Sequence, residues 1–372
     1  MASNEAWGER LASTRYRFMR VSRRTGNETE VIRALKGGTV TRNDDTRIKE
    51  SAEASLVESY DFGPDLVRIH IDAVTVSGKQ LTDVLGTFLP VIPSRTIEGA
   101  TSTHSLKMYG RLQELLDDKF ATPYEVAKGS DAVSVAKSMC EAAGLTVVAD
   151  QSDFRTTNTR YYGVGVNQEN SDTGDTKLDA INDLLTLADF RGAWTDKMGV
   201  VHLSKYYDPA DIAESWQFVE GPTARFETSM GEEYDYTDAA NHVVVRYGSE
   251  DDTPIVAEAW DTDPDSPLST VSRGRTITRS YTYNELPQGE SAADKQDYAD
   301  KRAATLLKTA QSVIRRVTVT TAYTPTKLND TATLRFPTGG VDGKYQIRTQ
   351  TLSLLGGCPT QVEFRQFRRR NS

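Results

Sequence analysis

The chain has 372 residues and a formal net charge of −9, from 44 Lys and Arg against 53 Asp and Glu. That length predicts two or more domains with room to bury real cores, and 13 Pro with 26 Gly is too little of either for wholesale disorder. No run approaches the ~18 apolar residues of a membrane span, the first twenty residues hold no apolar h-region, and few Lys and Arg cluster as phosphate binding needs. The sequence therefore predicts synthesis and folding in the cytoplasm, with neither stable membrane association nor stable nucleic-acid binding.

Residues 1–118 read as a β-barrel-like domain. Tyr16-Arg17-Phe18-Met19-Arg20-Val21 alternates apolar and polar, and Val31-Ile32-Arg33-Ala34-Leu35 follows the Gly26-Asn27 turn. Gly37-Gly38 marks another turn before a less regular strand over 47–56, and Val67-Arg68-Ile69-His70-Ile71-Asp72-Ala73-Val74 is the clearest strand of all. A strand over 85–92 carries Pro90, which predicts an edge or a strand end. Residues 104–109 alternate before a short helix at 111–117. Short strands spaced about ten residues apart are the pattern of a barrel or sandwich.

Residues 119–214 change period and read as an α/β middle domain. Ser130 is the expected N-cap of a helix with Val133, Ala136, Met139, Cys140 and Ala143 along one side, stopped by Gly144. A strand over 145–149 follows. Thr176 opens a second helix, with Asp179 at the capping-box position and Leu178, Ile181, Leu184, Leu185 and Ala188 inward. Two strands, 191–195 and 200–205, flank the turn Asp196-Lys197-Met198-Gly199.

Residues 215–372 read as a second β-barrel-like domain, with strands over 225–228, 241–247, 255–259 and 275–283 and a polar, acidic loop region over about 249–274. A helix-like run over 291–311 passes straight into a strand over 313–322. Strands over 331–336, 345–355 and 360–367 follow, with a Gly-rich turn at 338–343. The predicted class is α+β, mainly β: two β-barrel-like domains bracketing a small α/β insert.

Residue chemistry points away from catalysis. Asp261-Thr262-Asp263-Pro264-Asp265 spaces its acids like a calcium loop, but Ser266 stands where that loop needs Gly and Ser272 where it needs Glu. His70, His104, His202 and His242 lie in strand patterns without a second ligand at i+2 or i+4. Tyr162-Gly163-Val164-Gly165-Val166 lacks the spacing and Lys of a phosphate loop, and no Ser is framed by glycines as a nucleophile. Cys140 reads as a core residue and Cys358 as part of a turn. The expectation is a protein that is no enzyme, with no catalytic residue, metal or cofactor.

Charge is distributed in blocks. Residues 1–50 carry eleven Lys and Arg against seven acids, whereas residues 226–265 carry twelve acids and the one base Arg246. Separated blocks of opposite sign suit contacts between subunits, the alternative being solvated faces. Trp7 is a candidate interface anchor, or packs on its own barrel. Phe364, Phe367, Arg368, Arg369 and Arg370 form an aromatic-basic tail that docks on a partner or ends in disorder.

All-β ends around an α/β insert resemble the hub proteins of phage tail tips and baseplates, found also in contractile injection systems. The resemblance covers most of the chain by order of elements. It is closest in Leu178, Ile181, Leu184-Leu185, Trp194, Asp196, Gly199 and Tyr206, and in Gly343-Lys344-Tyr345-Gln346-Ile347. Asn329-Asp330 stands where the family often has a Pro-Gly-Asp-like turn. The resemblance implies a homotrimer whose paired barrels form a pseudo-sixfold ring. That ring joins the tail-tube or distal tail protein to a central tip, spike or fibre protein and surrounds the channel through which DNA passes in transit. Glu232, Glu233 and Asp235 are then expected to face the lumen, and the protein to reside in the virion. The competing expectation is a cell-wall hydrolase or carbohydrate-binding tail-tip module.

Overall fold

The computed structural model describes residues 4–35, 37–98, 101–163, 176–209, 211–233, 239–248, 253–283, 286–287, 289–311 and 313–367. Strand accounts for 45 % of it and helix for 17 %. In the N-terminal part, strand Leu11–Val21 pairs antiparallel with Leu66–Thr75, setting Phe18 opposite Ile69. The sheet continues through Gln80–Glu98, Thr101–Gly110 and Glu50–Leu56. Because strand side chains alternate, Phe18, Ile69, Ile71, Leu85, Phe88, Leu106 and Met108 share the inner face and are almost wholly buried. Past strand Glu28–Ile32 the chain returns to Glu50–Leu56. There the Leu35 N–H donates to the Ser55 carbonyl at 2.7 Å and the Val57 N–H to the Arg33 carbonyl at 3.0 Å, so the sheet curls round its core. Strand Gln80–Glu98 runs well past Pro90, with a bulge between Pro90 and Ile92, and loses its Leu66–Thr75 partner beyond Phe88. Pro90 thus marks an edge and not an end, as a residue without an N–H can.

The two ends of the chain belong to one sheet. Strand Thr39–Asn43 pairs with Glu50–Leu56 on one side and with Val341–Ser353 on the other, Asn43 opposite Thr349 and Thr39 opposite Ser353. The sheet then runs through Thr360–Phe367 and Val313–Thr321 to an edge at Phe226–Glu233. Thr331–Phe336 takes the remaining length of Val341–Ser353 and carries Trp216–Val219 in parallel. The local pattern shows no strand at Thr39–Asn43, where Val40 is the one apolar residue. Phe218, Val317, Val319, Leu334, Tyr345, Ile347 and Phe364 form the C-terminal core.

The middle α/β unit packs helices Leu112–Asp117, Ala132–Ala142 and Lys177–Leu187 around one core. Asp131, and not Ser130, caps Ala132–Ala142, its carboxylate accepting from the Ser134 N–H at 3.0 Å. Thr176 and Asp179 form the expected capping box. A second small α/β unit is inserted in the C-terminal part. Helix Ala292–Gln311 lays Ala299, Ala303 and Leu307 on a three-stranded sheet of Ile255–Trp260, His242–Tyr247 and Thr278–Tyr283. The described part of the acidic loop is ordered by its own acid: Asp261 is buried and accepts from the Ser266 hydroxyl at 2.7 Å and from Gln311 at 2.8 Å.

Candidate assembly surfaces and the charged seam

The junction between the two ends is sealed by polar groups that are buried together. Arg42 donates to the Gln350 side chain at 3.1 Å, to the Thr326 carbonyl at 3.3 Å and to the Leu85 carbonyl at 2.7 Å. Tyr323 enters the N-terminal core, edge-on to Trp7 with ring centroids 5.0 Å apart, and donates its hydroxyl to Asp83 at 2.9 Å. Asp83 also pairs with Lys197 of the middle unit. Burial drives the Tyr323 phenol far above its ordinary range.

A second cluster ties all three regions at one point. Arg348 reaches Asp44 at 2.5 Å and Asp45 at 2.6 Å, while Lys49 and Arg191 each approach Asp44 at 3.3 Å. Arg365 pairs with Asp45 and with Glu363. Burial alone would raise the Asp44 carboxyl, but Arg348, Lys49 and Arg191 outweigh it and hold it below its ordinary value. Glu50, beneath the middle unit, goes the other way: burial pushes its carboxyl up to about 7, against Arg42 and the Thr195 hydroxyl, which donates to it at 3.3 Å.

The two α/β units also meet. Arg302 pairs with Asp189 and lies 5.9 Å over the Tyr283 ring, and beside this contact Phe190, Tyr206, Tyr298 and Leu306 line a groove of about 460 Å³. The sheet of the second unit leaves one face open. There Trp260, 47 % exposed, stacks on His242 at 3.5 Å and donates to Glu258 at 3.1 Å. His70 bonds Glu28 at 2.7 Å and His202 bonds Asp196 at 3.1 Å. Among the described residues, no three His, Cys, Asp or Glu gather as a metal set.

The expected interface residues divide. Trp7, 3 % exposed, packs against Tyr323 inside its own core, and Phe364 is fully buried between Phe218 and Tyr345. Neither is an exposed anchor, because each inward position is already filled by the protein's own aromatic partners. Arg368 and Arg369 lie outside the described residues, as does Asp235; Phe367 ends strand Thr360–Phe367. Glu232 and Glu233 lie on the edge strand Phe226–Glu233, beside Arg315 at 2.6 Å and Arg316 at 3.8 Å. Sequence periodicity carries no sign of the seam residues Arg42, Asp44, Tyr323 and Arg348, whose contacts Arg42–Gln350, Tyr323–Asp83 and Arg348–Asp44 join positions hundreds of residues apart.

No protein-family model matches the sequence, and no curated protein matches it. Solved structures do resemble the folded chain. A tail protein from Neisseria meningitidis superposes with a TM-score of 0.63 at 13 % identity, covering 95 % of this chain and 96 % of that one. The 43 kDa tail protein of prophage MuSo2 from Shewanella oneidensis gives 0.62 at 10 % identity, covering 95 % and 98 %. The fold is that of phage tail proteins. A chain of the Francisella PdpA-VgrG complex also shares it, at 0.54 and 11 % identity, with 95 % of this chain matching 58 % of that one. In this tail-protein fold the similarity runs through both halves of the long sheet and both α/β units, since 95 % of the chain is covered.

Proposed function

We propose that the chain is a structural subunit of a phage tail tip or baseplate, assembling as a homotrimer. The ring joins a tail-tube or distal tail protein to a central tip, spike or fibre protein and surrounds the passage taken by DNA. The reading is carried by one observation: the fold matches two tail proteins over nearly the full length of each partner in the comparison. The architecture supports it, because a single sheet of 13 strands runs through both halves, and strand edges left open can accept further strands. The N-terminal and C-terminal β parts, with the middle α/β unit between, are the proposed domains. Glu232, Glu233 and Asp235 are proposed to face the passage, where acids repel DNA and keep it moving. The site of action is the virion tail, and no helix among the described residues is long and apolar enough to cross a membrane.

The test is the mass of the purified chain by light scattering over a concentration series. Three times 41.2 kDa, about 124 kDa, supports the trimer. A second reading, a carbohydrate-binding module, draws on the Trp260 platform, whose exposed aromatic face beside Glu258, Thr278 and Ser280 is suited to a sugar ring. Titration of cell-wall fragments against Trp fluorescence tests it, and an unchanged signal rejects it.

A further inference from the structure

Two helices of the middle unit end in the same way but for one residue. Helix Ala132–Ala142 closes with the Gly144 N–H donating to the Glu141 carbonyl at 2.9 Å and the Leu145 N–H to the Cys140 carbonyl at 3.1 Å. Helix Lys177–Leu187 repeats the pattern, with the Asp189 N–H donating to Thr186 at 3.3 Å and the Phe190 N–H to Leu185 at 2.9 Å. This closure turns the residue after the cap into the left-handed region, which Gly144 enters freely at φ +78°. Asp189 stands there at φ +59° instead. Its backbone bears a cost that glycine avoids, and its carboxylate sits at the negative end of the helix dipole. Neither the turn nor the core explains an acid at this position, since its side chain is half exposed.

The explanation lies in the other α/β unit. Asp189 pairs with Arg302 of helix Ala292–Gln311, and that guanidinium lies 5.9 Å over the Tyr283 ring. The Thr157 hydroxyl also donates to the Leu286 carbonyl at 3.1 Å, and Phe154 and Leu187 face Tyr247, Leu286 and Pro287 across a small pocket. Among the described residues, the core of the middle unit and the core of the second unit have no member in common. Next to the ion pair the units stand apart across the groove of about 460 Å³. A contact so polar and so loosely filled lacks the close packing that fuses two cores into one.

We propose that Asp189 and Arg302 form a latch between two units that move as separate bodies. Closed, the pair holds helix Ala292–Gln311 against the end of helix Lys177–Leu187. Open, Tyr298 and Leu306 swing away from Thr186 and Phe190 while each core stays folded. An ion pair with one half-exposed partner contributes little, so the closed and open states lie close in free energy. The latch gives the subunit a joint. It is a property of the single chain and does not rest on the ring.

The experiment places spin labels on the full chain through Ser138→Cys and Ala304→Cys, at exposed positions of helices Ala132–Ala142 and Ala292–Gln311. Cys140 and Cys358 are buried and stay unlabelled. Pulsed electron resonance then reads the distance between the two units, and the latched chain is expected to give one narrow distance. Asp189→Gly and Arg302→Gln are each expected to raise the share of longer distances about fivefold. Asp189→Gly gives its helix the ending that Gly144 gives the other, and far-UV circular dichroism and melting temperature confirm that both cores stay folded. A distribution unmoved by both variants, or already broad before either, overturns the latch. Broadening by only one of the two also overturns it, because a latch fails from either side.

Discussion

Arg42 donates to Gln350 at 3.1 Å across the junction where the N-terminal and C-terminal halves become one sheet. The pair is buried, so each partner depends on the other for satisfaction. Replacing Arg42 with Ala strands the Gln350 oxygen and the Leu85 and Thr326 carbonyls away from water. The expected loss is about 3 kcal/mol, read as a lower denaturation midpoint in urea. A loss below about 0.5 kcal/mol would show that water refills the junction.

Gly37 and Gly38 separate the effect of backbone conformation from that of space. Both lie at positive φ, +100° and +118°. A Cβ at Gly37 meets nothing within 4 Å, but at Gly38 it lands 2.5 Å from the Glu53 carbonyl, next to the strand that joins the halves. Gly37→Ala should cost about 1–2 kcal/mol from the left-handed backbone alone. Gly38→Ala should cost clearly more and lower the melting temperature further. Equal costs would mean that the Glu53 backbone gives way freely.

Two buried carboxyls predict opposite pH behaviour. Glu50 holds its proton up to about 7 against an ordinary 4.5, so its contribution is fully present below about 4.5 and is lost as pH rises through 7. The shift corresponds to roughly 3 kcal/mol. Glu50→Gln should flatten the decline between pH 4.5 and 7 and raise stability at pH 8. Asp44 is held below its ordinary 3.8, so its contribution is present above that value and is lost as pH falls below it. Asp44→Asn should cost about 3–5 kcal/mol at pH 7 by leaving Arg348, Lys49 and Arg191 without their shared anion, and progressively less as pH falls below 3.8. Urea unfolding at a series of pH values measures both, and parallel curves for wild type and variants would remove these groups from the account.

Reversing Glu232, Glu233 and Asp235 to Lys should slow release of DNA from assembled particles, because three added cations hold phosphate in the passage. Ejection kinetics followed by dye uptake report the change, and high salt should restore the rate. Unchanged kinetics would place these acids away from the passage. Glu232 and Glu233 neighbour Arg315 and Arg316, so the variant's fold is checked first.

The alternation in residues 67–74, 313–322 and 360–367 and the helical spacing of Leu178, Ile181, Leu184 and Leu185 locate main elements of the fold from sequence alone. The capping box at Thr176 is equally legible, because its parts lie three residues apart. Trp216–Val219 and Tyr124–Val126 are not, being too short to show a period. Trp7 is ambiguous for another reason: whether an aromatic residue anchors a partner or fills its own core depends on Tyr323, which lies more than three hundred positions away.

Periodicity, caps and turns are local, so the order of strands and helices and the mainly β class follow from residues that are neighbours along the chain. The joining of both ends into one sheet is not local. Thr39–Asn43 becomes a strand because Glu50–Leu56 and Val341–Ser353 present ladders on either side of it, and Asp44 becomes a hub because folding brings Lys49, Arg191 and Arg348 to it. Hydrogen bonds and ion pairs between distant segments leave no mark on local composition, so only the packed chain selects these partners.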